Sequence, residues 1–275
     1  KEIHGWTERF GIRKLEVSGR QFLLNGKPYF LRGTGDHMKC PFHLILRPDR
    51  KEIVQHQKIY KEAGFNYTRH HTQCPIPEYF EAADETGLLI QPELPYYSDV
   101  PTDGGPFNPM ADLQELYRHF RRYVSFATYC TGNEGWLGSP ADRQLYQWAK
   151  KHDPDRLFIH QDGGVNPKDC SDFVTGPIKE WEPGKYNHFE RPFLAHEYLN
   201  LAIKIDPRLA DRFTGILVPP AVMTDYSNHL KSWGLTPKWG DLCILSAHHL
   251  QGMWLKHGFE SAGSIRNAMV FLIGP

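Results

Sequence analysis

Two carboxylates of the 275-residue chain follow short apolar segments, where they could act together in catalysis. Glu134 comes directly after Asn133 and after the apolar run Val124–Cys130, and Glu197 follows the segment Phe193–His196. A carboxylate just past a buried strand adds nothing to a core, and burying it unpaired costs several kcal/mol. Two such groups roughly 5–5.5 Å apart suit glycoside hydrolysis with retention, in which one protonates the leaving oxygen and the other attacks the anomeric carbon. The pair therefore predicts this chemistry, with Asn133 placed to bind a neighbouring sugar hydroxyl.

Polar side chains end most of the other predicted strands as well. Of the eight strands that the sequence predicts, numbered in chain order and given below, the first five and the seventh each end in a titratable or hydrogen-bonding group. Because the carboxyl ends of barrel strands converge on the face where such enzymes work, we expect these groups to form one site. The predicted substrate-binding residues are His37, Arg69, His71, Glu93, Asn133, Trp136, Asp162 and Tyr198.

Some of these residues have a structural interpretation that the sequence leaves open. Glu93 could be the ion-pair partner of Arg69, and Asp162 could belong to an Asp-Gly-Gly turn. Successive residues of a strand point to opposite faces, so at most one of His70 and His71 faces the site. We prefer His71.

The elements that would position these residues alternate along the chain, strand after helix, which predicts a parallel sheet covered by helices. Residues 14–32 have the pattern of a β-hairpin with Asn25-Gly26 as its turn. The second arm of this hairpin and seven further strands predict an α/β fold, a (β/α)8 TIM barrel over residues 14–275 in which the eighth helix is missing. The eight predicted strands include residues 29–33, 65–68, 88–90, 124–130, 157–160, 172–175, 193–196 and 268–273.

Capping residues predict where helices begin and end. Asp49 has capping-box spacing, and the helix that follows is predicted to turn Ile53 and Ile59 toward the core. Pro77 is predicted to begin the next helix and Gly87 to end it.

Composition argues against several other classes of protein. Lysine and arginine number 32, as do aspartate and glutamate, so no basic surface for nucleic acid is expected. The five cysteines are widely spaced without a Cys-x-x-Cys pair, which argues against a disulfide framework and a structural zinc site. The sequence has no apolar run of about 18 residues, so no membrane partner is predicted. No cofactor and no metal is predicted.

Six segments, in order from about residue 10 to about residue 200, carry a family resemblance. They are FGIRKLEV, FLLNGKPYFLRGTGDH, AGFNYTRHH, AADETGLLIQPELP, the run ending in TGNE, and FLAHEY. Together they resemble the catalytic barrel of glycoside hydrolase family 2, the group of β-galactosidases, β-glucuronidases and β-mannosidases. The resemblance implies that Glu134 is the acid/base and Glu197 the nucleophile. It also implies a sugar subsite lined by Asn133, His37 and Arg69.

The resemblance further implies a carbohydrate substrate and upstream β-sandwich domains, of which residues 1–13 would be the tail. The chain departs from the family at two pocket positions. Thr72 stands where members often have a histidine, and Ala268–Phe271 stands where strand eight commonly brings a tryptophan. Both departures bear on which sugar is bound.

Three alternatives remain open from the sequence. Glu134 taken alone could cap a helix beginning near Ser139. The histidines could serve a metal-dependent barrel hydrolase, although adjacent His70 and His71 are poorly placed to bind one ion. The chain could also be a carbohydrate-binding relic without turnover, against which the retained glutamate pair argues.

Overall fold

A computed structural model describes residues 4–5, 7, 9–38, 48–97, 108–134, 139–161, 167–177, 189–198, 221–235 and 263–266. The chain divides into two compact units. One consists of residues 1–198 and 260–271, and the other of residues 199–259 and 272–275.

The first unit opens with a small antiparallel sheet formed by β1 (Leu15–Ser18), β2 (Gln21–Leu24) and β3 (Lys27–Pro28), in that order. The predicted turn at Asn25-Gly26 is confirmed, with φ angles of 52° and 77°. Asparagine and glycine are the residues that tolerate this left-handed conformation best, which is why the pair closes a tight hairpin. A further turn at Gly19, with φ 53°, divides the predicted first arm into β1 and β2.

Eight parallel strands follow, and the α/β fold class is confirmed. They are β4 (Leu31–Gly35), β5 (Tyr67–His70), β6 (Leu89–Pro92), β7 (Thr128–Cys130), β8 (Leu157–Ile159), β9 (Val174–Pro177), β10 (Phe193–Tyr198) and β11 (Gly263–Arg266). Six of them form one sheet in the order β6-β5-β4-β11-β10-β9, and β7 pairs with β8. Parallel bridges from Ile90 to Phe126 and from Glu93 to Cys130 join β6 to β7. The described strands thus run in the order β8-β7-β6-β5-β4-β11-β10-β9.

The last parallel strand differs from the prediction. The sequence favoured the apolar run 268–273, which lies outside the described residues, whereas Gly263–Arg266 pairs with Leu31–Thr34 on one side and with β10 on the other. The segment Gly-Ser-Ile-Arg lacks an apolar run, so its pairing on both sides marks it as a strand where periodicity does not. The predicted strand 124–130 is also shorter, because residues 124 and 125 form a turn before β7.

Five helices are described: α1 (Arg50–Glu62), α2 (Pro77–Thr86), α3 (Pro109–Phe120), α4 (Pro140–His152) and, in the second unit, α5 (Ala221–Ser232). Asp49 caps α1 by accepting from the backbone nitrogens of residues 51 and 52, and Gly87 ends α2 in the left-handed conformation, as predicted. The prediction for Ile59 is wrong. Its side chain is 42% exposed, whereas Gln57 is buried and donates from Nε2 to the Tyr79 carbonyl at 2.8 Å.

The small sheet β1–β3 covers the amino ends of the parallel strands. Phe22 meets Phe173 edge-to-face with ring centroids 5.2 Å apart, and its cluster includes the first residues of several strands. A second cluster lies between the strands and helices α1–α4. Apolar side chains therefore fill the amino ends of the parallel strands, and polar groups can be accommodated at the carboxyl ends.

The two ends of the strand order, β8 and β9, approach each other without a described strand pairing. The Asp172 nitrogen donates to the Phe158 carbonyl oxygen at 2.8 Å, and the Phe158 nitrogen donates to the Asp172 carboxylate at 2.7 Å. No helix among the described residues is long and apolar enough to cross a membrane.

Candidate active site

Strand register brings the predicted polar residues to one edge of the sheet. Gly35 pairs with Arg69, and Arg69 pairs with Gln91, so β4, β5 and β6 end at the same level. Beyond β6 the chain stays beside β7, with bridges from Glu93 to Cys130 and from Tyr97 to Asn133. The carboxyl ends of four neighbouring strands therefore meet, and His37, Arg69, Glu93 and Asn133 lie at or just beyond these ends.

A buried ion pair between Arg69 and Glu93 lies at the centre of this edge. Arg69 Nε donates to Glu93 Oε1 at 2.6 Å, and the two side chains are 3% and 0% exposed. The second guanidinium nitrogen bonds the Asn133 side-chain oxygen. Glu93 also accepts from the Thr72 backbone nitrogen at 2.7 Å and from Gln91 Nε2 at 3.3 Å. The arrangement corresponds to the interpretation of Glu93 as the partner of Arg69.

The Thr72 backbone is held in an unusual conformation by this network. Its φ is 51°, a left-handed value that a β-branched residue rarely adopts. The bond from its nitrogen to Glu93 and the contact of its hydroxyl with His71 Nδ1, at 3.1 Å, fix the turn that follows β5. The residue at the family's histidine position thus shapes the backbone around His71.

Asn133 and Glu134 leave the end of β7 in different directions. Asn133 is 1% exposed, and its nitrogen donates to the Tyr96 carbonyl oxygen at 2.9 Å. Glu134 is exposed, with φ 48°. Gly132 allows this geometry because a Cβ there would lie 2.4 Å from the Tyr96 oxygen. The Glu134 carboxylate therefore lies beyond the buried polar network, where solvent reaches it.

The two adjacent histidines after β5 differ in burial. His70 is fully buried against Tyr79, and burial lowers its pKa to about 4. His71 is half-buried, and its ring centroid lies 5.5 Å from that of His37. His37 and His71 therefore lie together at the edge, while His70 faces the core.

A carboxylate that the sequence analysis did not single out shapes the turn at His37. Asp36 is 2% exposed and accepts from the Met38 nitrogen at 2.7 Å. Its other oxygen accepts from the Tyr79 hydroxyl at 2.5 Å and lies 2.9 Å from His56 Nε2. Burial would raise the pKa of Asp36, but the hydrogen bond from His56 and the charges of His70 and His56 hold that pKa far below its usual range. The only sequence signal was its place beside His37 at a strand end.

Two further predicted residues lie in β10, on the other side of the sheet order from β6. Glu197 and Tyr198 lie in β10, where the register against β11 shifts between Ala195 and Tyr198. Such bulges are common beside active sites, because they re-aim a side chain. Trp136 and Asp162 lie outside the described residues, and the separation of the Glu134 and Glu197 carboxyl groups stays a prediction. Within the described ranges, no group of three or more histidine, cysteine or acidic side chains could hold a metal ion.

Known proteins that resemble the chain point to one family. A β-galactosidase of Photobacterium profundum is 31% identical over 170 residues, which are 57% of this chain and 16% of that protein. The crystal structure of a family 2 glycosyl hydrolase from Bacteroides cellulosilyticus matches 68% of this chain and 26% of its own, with a TM-score of 0.55 and 20% identity. The resemblance to glycoside hydrolase family 2 is confirmed. No family model matches the chain.

A third similarity, to a solved structure, covers most of the chain. The structure of a putative β-galactosidase from Bacteroides fragilis covers 94% of this chain and 39% of its own, with a TM-score of 0.61 and 18% identity. At this identity the structural similarity indicates the fold alone. The chain spans about one sixth of the length of the curated relatives it matches.

Proposed function

We propose that the protein carrying this family 2-like domain is a glycosidase that cleaves a β-glycosidic bond with retention, using Glu134 as acid/base and Glu197 as nucleophile. The observation that carries the proposal is the exposed carboxylate of Glu134 beside the buried Arg69–Glu93–Asn133 network. The similarity to β-galactosidases supports a carbohydrate substrate.

The network supplies what a sugar subsite needs. Asn133 uses its side-chain oxygen to accept from Arg69, so its amide nitrogen is the end available to donate to a sugar hydroxyl. Arg69 is in turn fixed by Glu93, which keeps both groups in one rotamer before a ligand arrives. Groups held in place in advance lose little entropy on binding, and this favours catalysis. His37 and His71 are proposed to bind the same sugar from the neighbouring strand ends.

We also propose that the domain closes as a (β/α)8 barrel. The order β8-β7-β6-β5-β4-β11-β10-β9 is the order of a barrel whose seam lies between β8 and β9, and the bonds between Asp172 and Phe158 support that seam. In a closed barrel, β7 and β10 are the fourth and seventh strands, and Glu134 and Glu197 lie at their ends. Residues 14–275 would form this domain, and residues 1–13 would end an upstream β-sandwich.

The test is Glu197→Gln and Glu134→Gln in the full-length protein, assayed on chromogenic β-galactosides and β-glucuronides. The first change is isosteric and removes the nucleophile, so we expect turnover to fall by about 10³-fold or more, equivalent to roughly 4 kcal/mol of barrier. Glu62→Gln, at an exposed position in the last turn of α1, is the control and should retain full activity. A Glu197→Gln variant that keeps more than about a tenth of the rate would assign the nucleophile to another residue.

A further inference from the structure

An exposed tyrosine ring lies beside Glu134. Tyr97 is 61% exposed. Its hydroxyl donates to Glu134 Oε2 at 2.8 Å. The ring is therefore open to solvent at the place where the carboxylate is also open.

The backbone around Tyr97 is anchored, so the position of the ring is not that of a loose surface loop. Tyr97 forms a parallel bridge with Asn133, and the preceding Tyr96 accepts from the Asn133 nitrogen at 2.9 Å. The Tyr96 hydroxyl donates to Asp112 Oδ2 at 2.5 Å, which ties the segment to α3. These contacts hold the backbone of residues 96 and 97 beside the end of β7, and the bond to Glu134 orients the Tyr97 side chain.

We propose that Tyr97 forms the leaving-group side of the site: its hydroxyl orients the Glu134 carboxyl group, and its ring binds the leaving group, a sugar ring or an aryl group. The proposal rests on the proposed function, with Glu134 as the acid. An acid that protonates the leaving oxygen must lie beside the leaving group, so an exposed aromatic face bonded to that acid is a surface on which the group can pack. Aromatic rings suit this task because they offer a large apolar face with a polar tip.

The hydroxyl and the ring can be separated by substitution. Tyr97→Phe removes the bond to Glu134 and keeps the ring. We expect kcat/KM to fall about 10-fold for phenyl β-glycosides, whose leaving group needs protonation, and to stay unchanged for dinitrophenyl β-glycosides, whose leaving group departs without it. Tyr97→Ala also removes the ring, so KM should rise by about 5-fold for both substrates.

Ile59→Ala is the control, because it removes an exposed apolar side chain from α1 and should change neither parameter. A Phe variant that slows both substrates equally would overturn the role of the hydroxyl, and an Ala variant identical to the Phe variant would overturn the role of the ring. If both Tyr97 variants match an active wild type, only this inference fails. A full-length wild type that hydrolyses no β-glycoside would overturn the proposed function as well.

Discussion

At the residue scale, the contact that distinguishes this site is the fully buried ion pair between Arg69 and Glu93. Taking two charges out of water is costly, and the pair is stable because Glu93 gains further bonds from Thr72 and Gln91. Removing one partner leaves the other charge buried without compensation. The same network therefore fixes Asn133 and sets a large part of the local stability.

This leads to a prediction for Glu93→Gln. We expect the free energy of unfolding to fall by about 3–5 kcal/mol, since the substitution leaves the Arg69 charge uncompensated. Urea denaturation of the wild type and the variant measures this difference in the free energy of unfolding. Glu85→Gln is the matched control, because Glu85 pairs with Arg50 at the surface, where such pairs contribute roughly 0–1 kcal/mol. Equal losses for the two variants would contradict the assigned role of the buried pair.

At the element scale, the extension of β6 beside β7 determines where Asn133 and Glu134 lie. Leu94 donates to the Cys130 oxygen at 3.0 Å, and Asn133 donates to the Tyr96 oxygen at 2.9 Å. These backbone bonds bring two chain segments so close at Gly132 that no side chain fits. The geometry of the site thus depends on the glycine that follows β7 and lies against the backbone of Tyr96.

Gly132→Ala tests this dependence. The added Cβ would lie 2.4 Å from a backbone oxygen, which cannot move aside without breaking the pairing of the two segments. We expect a loss of roughly 2–3 kcal/mol in unfolding free energy and a marked loss of activity, because Asn133 must shift. Gly64→Ala isolates the cost of a left-handed backbone, since φ is 87° there with no atom within 4 Å. Its cost should be about 1 kcal/mol, with activity kept. A Gly132 variant no worse than this control would show that the close approach is unimportant.

At the scale of the whole molecule, buried titratable groups make stability depend on pH. Burial lowers the pKa of His70 from 6.5 to about 4, so the unfolded chain binds a proton before the folded chain does as pH falls. The contribution of neutral, buried His70 to the free energy of unfolding is complete above about pH 6.5. It is lost as the pH falls toward 4, and the loss reaches roughly 3 kcal/mol. Asp36 lowers the stability further below about pH 4. Its pKa is lower in the folded than in the unfolded chain, so the unfolded chain binds the proton first and unfolding is favoured.

We therefore expect unfolding midpoints in urea to decrease between pH 7 and pH 4, and the decrease to be smaller in His70→Phe. Phenylalanine keeps the edge-to-face contact with Tyr79, whose ring lies 4.7 Å away, and does not titrate. His152→Gln on the exposed end of α4 is the control and should keep the wild-type slope. An unchanged slope in His70→Phe would assign the pH dependence to other groups.

The sequence by itself determined the alternation of strands and helices, the caps at Asp49 and Gly87, and the strand ends that carry Arg69 and Asn133. These features depend on residues close together in the chain: a capping side chain, a left-handed glycine, an apolar run followed by a polar group. Each acts within a few residues, so local pattern was sufficient to predict it.

Only the tertiary structure decided which of these residues contact each other. The bonds from Arg69 to Glu93, from Tyr97 to Glu134 and from Arg69 to Asn133 join positions 24, 37 and 64 residues apart. Such contacts depend on the register between neighbouring strands. Register is set by pairing across the whole sheet, which a single apolar run does not specify. The same reason explains the last strand, because β11 is defined by its two partners and not by its own composition.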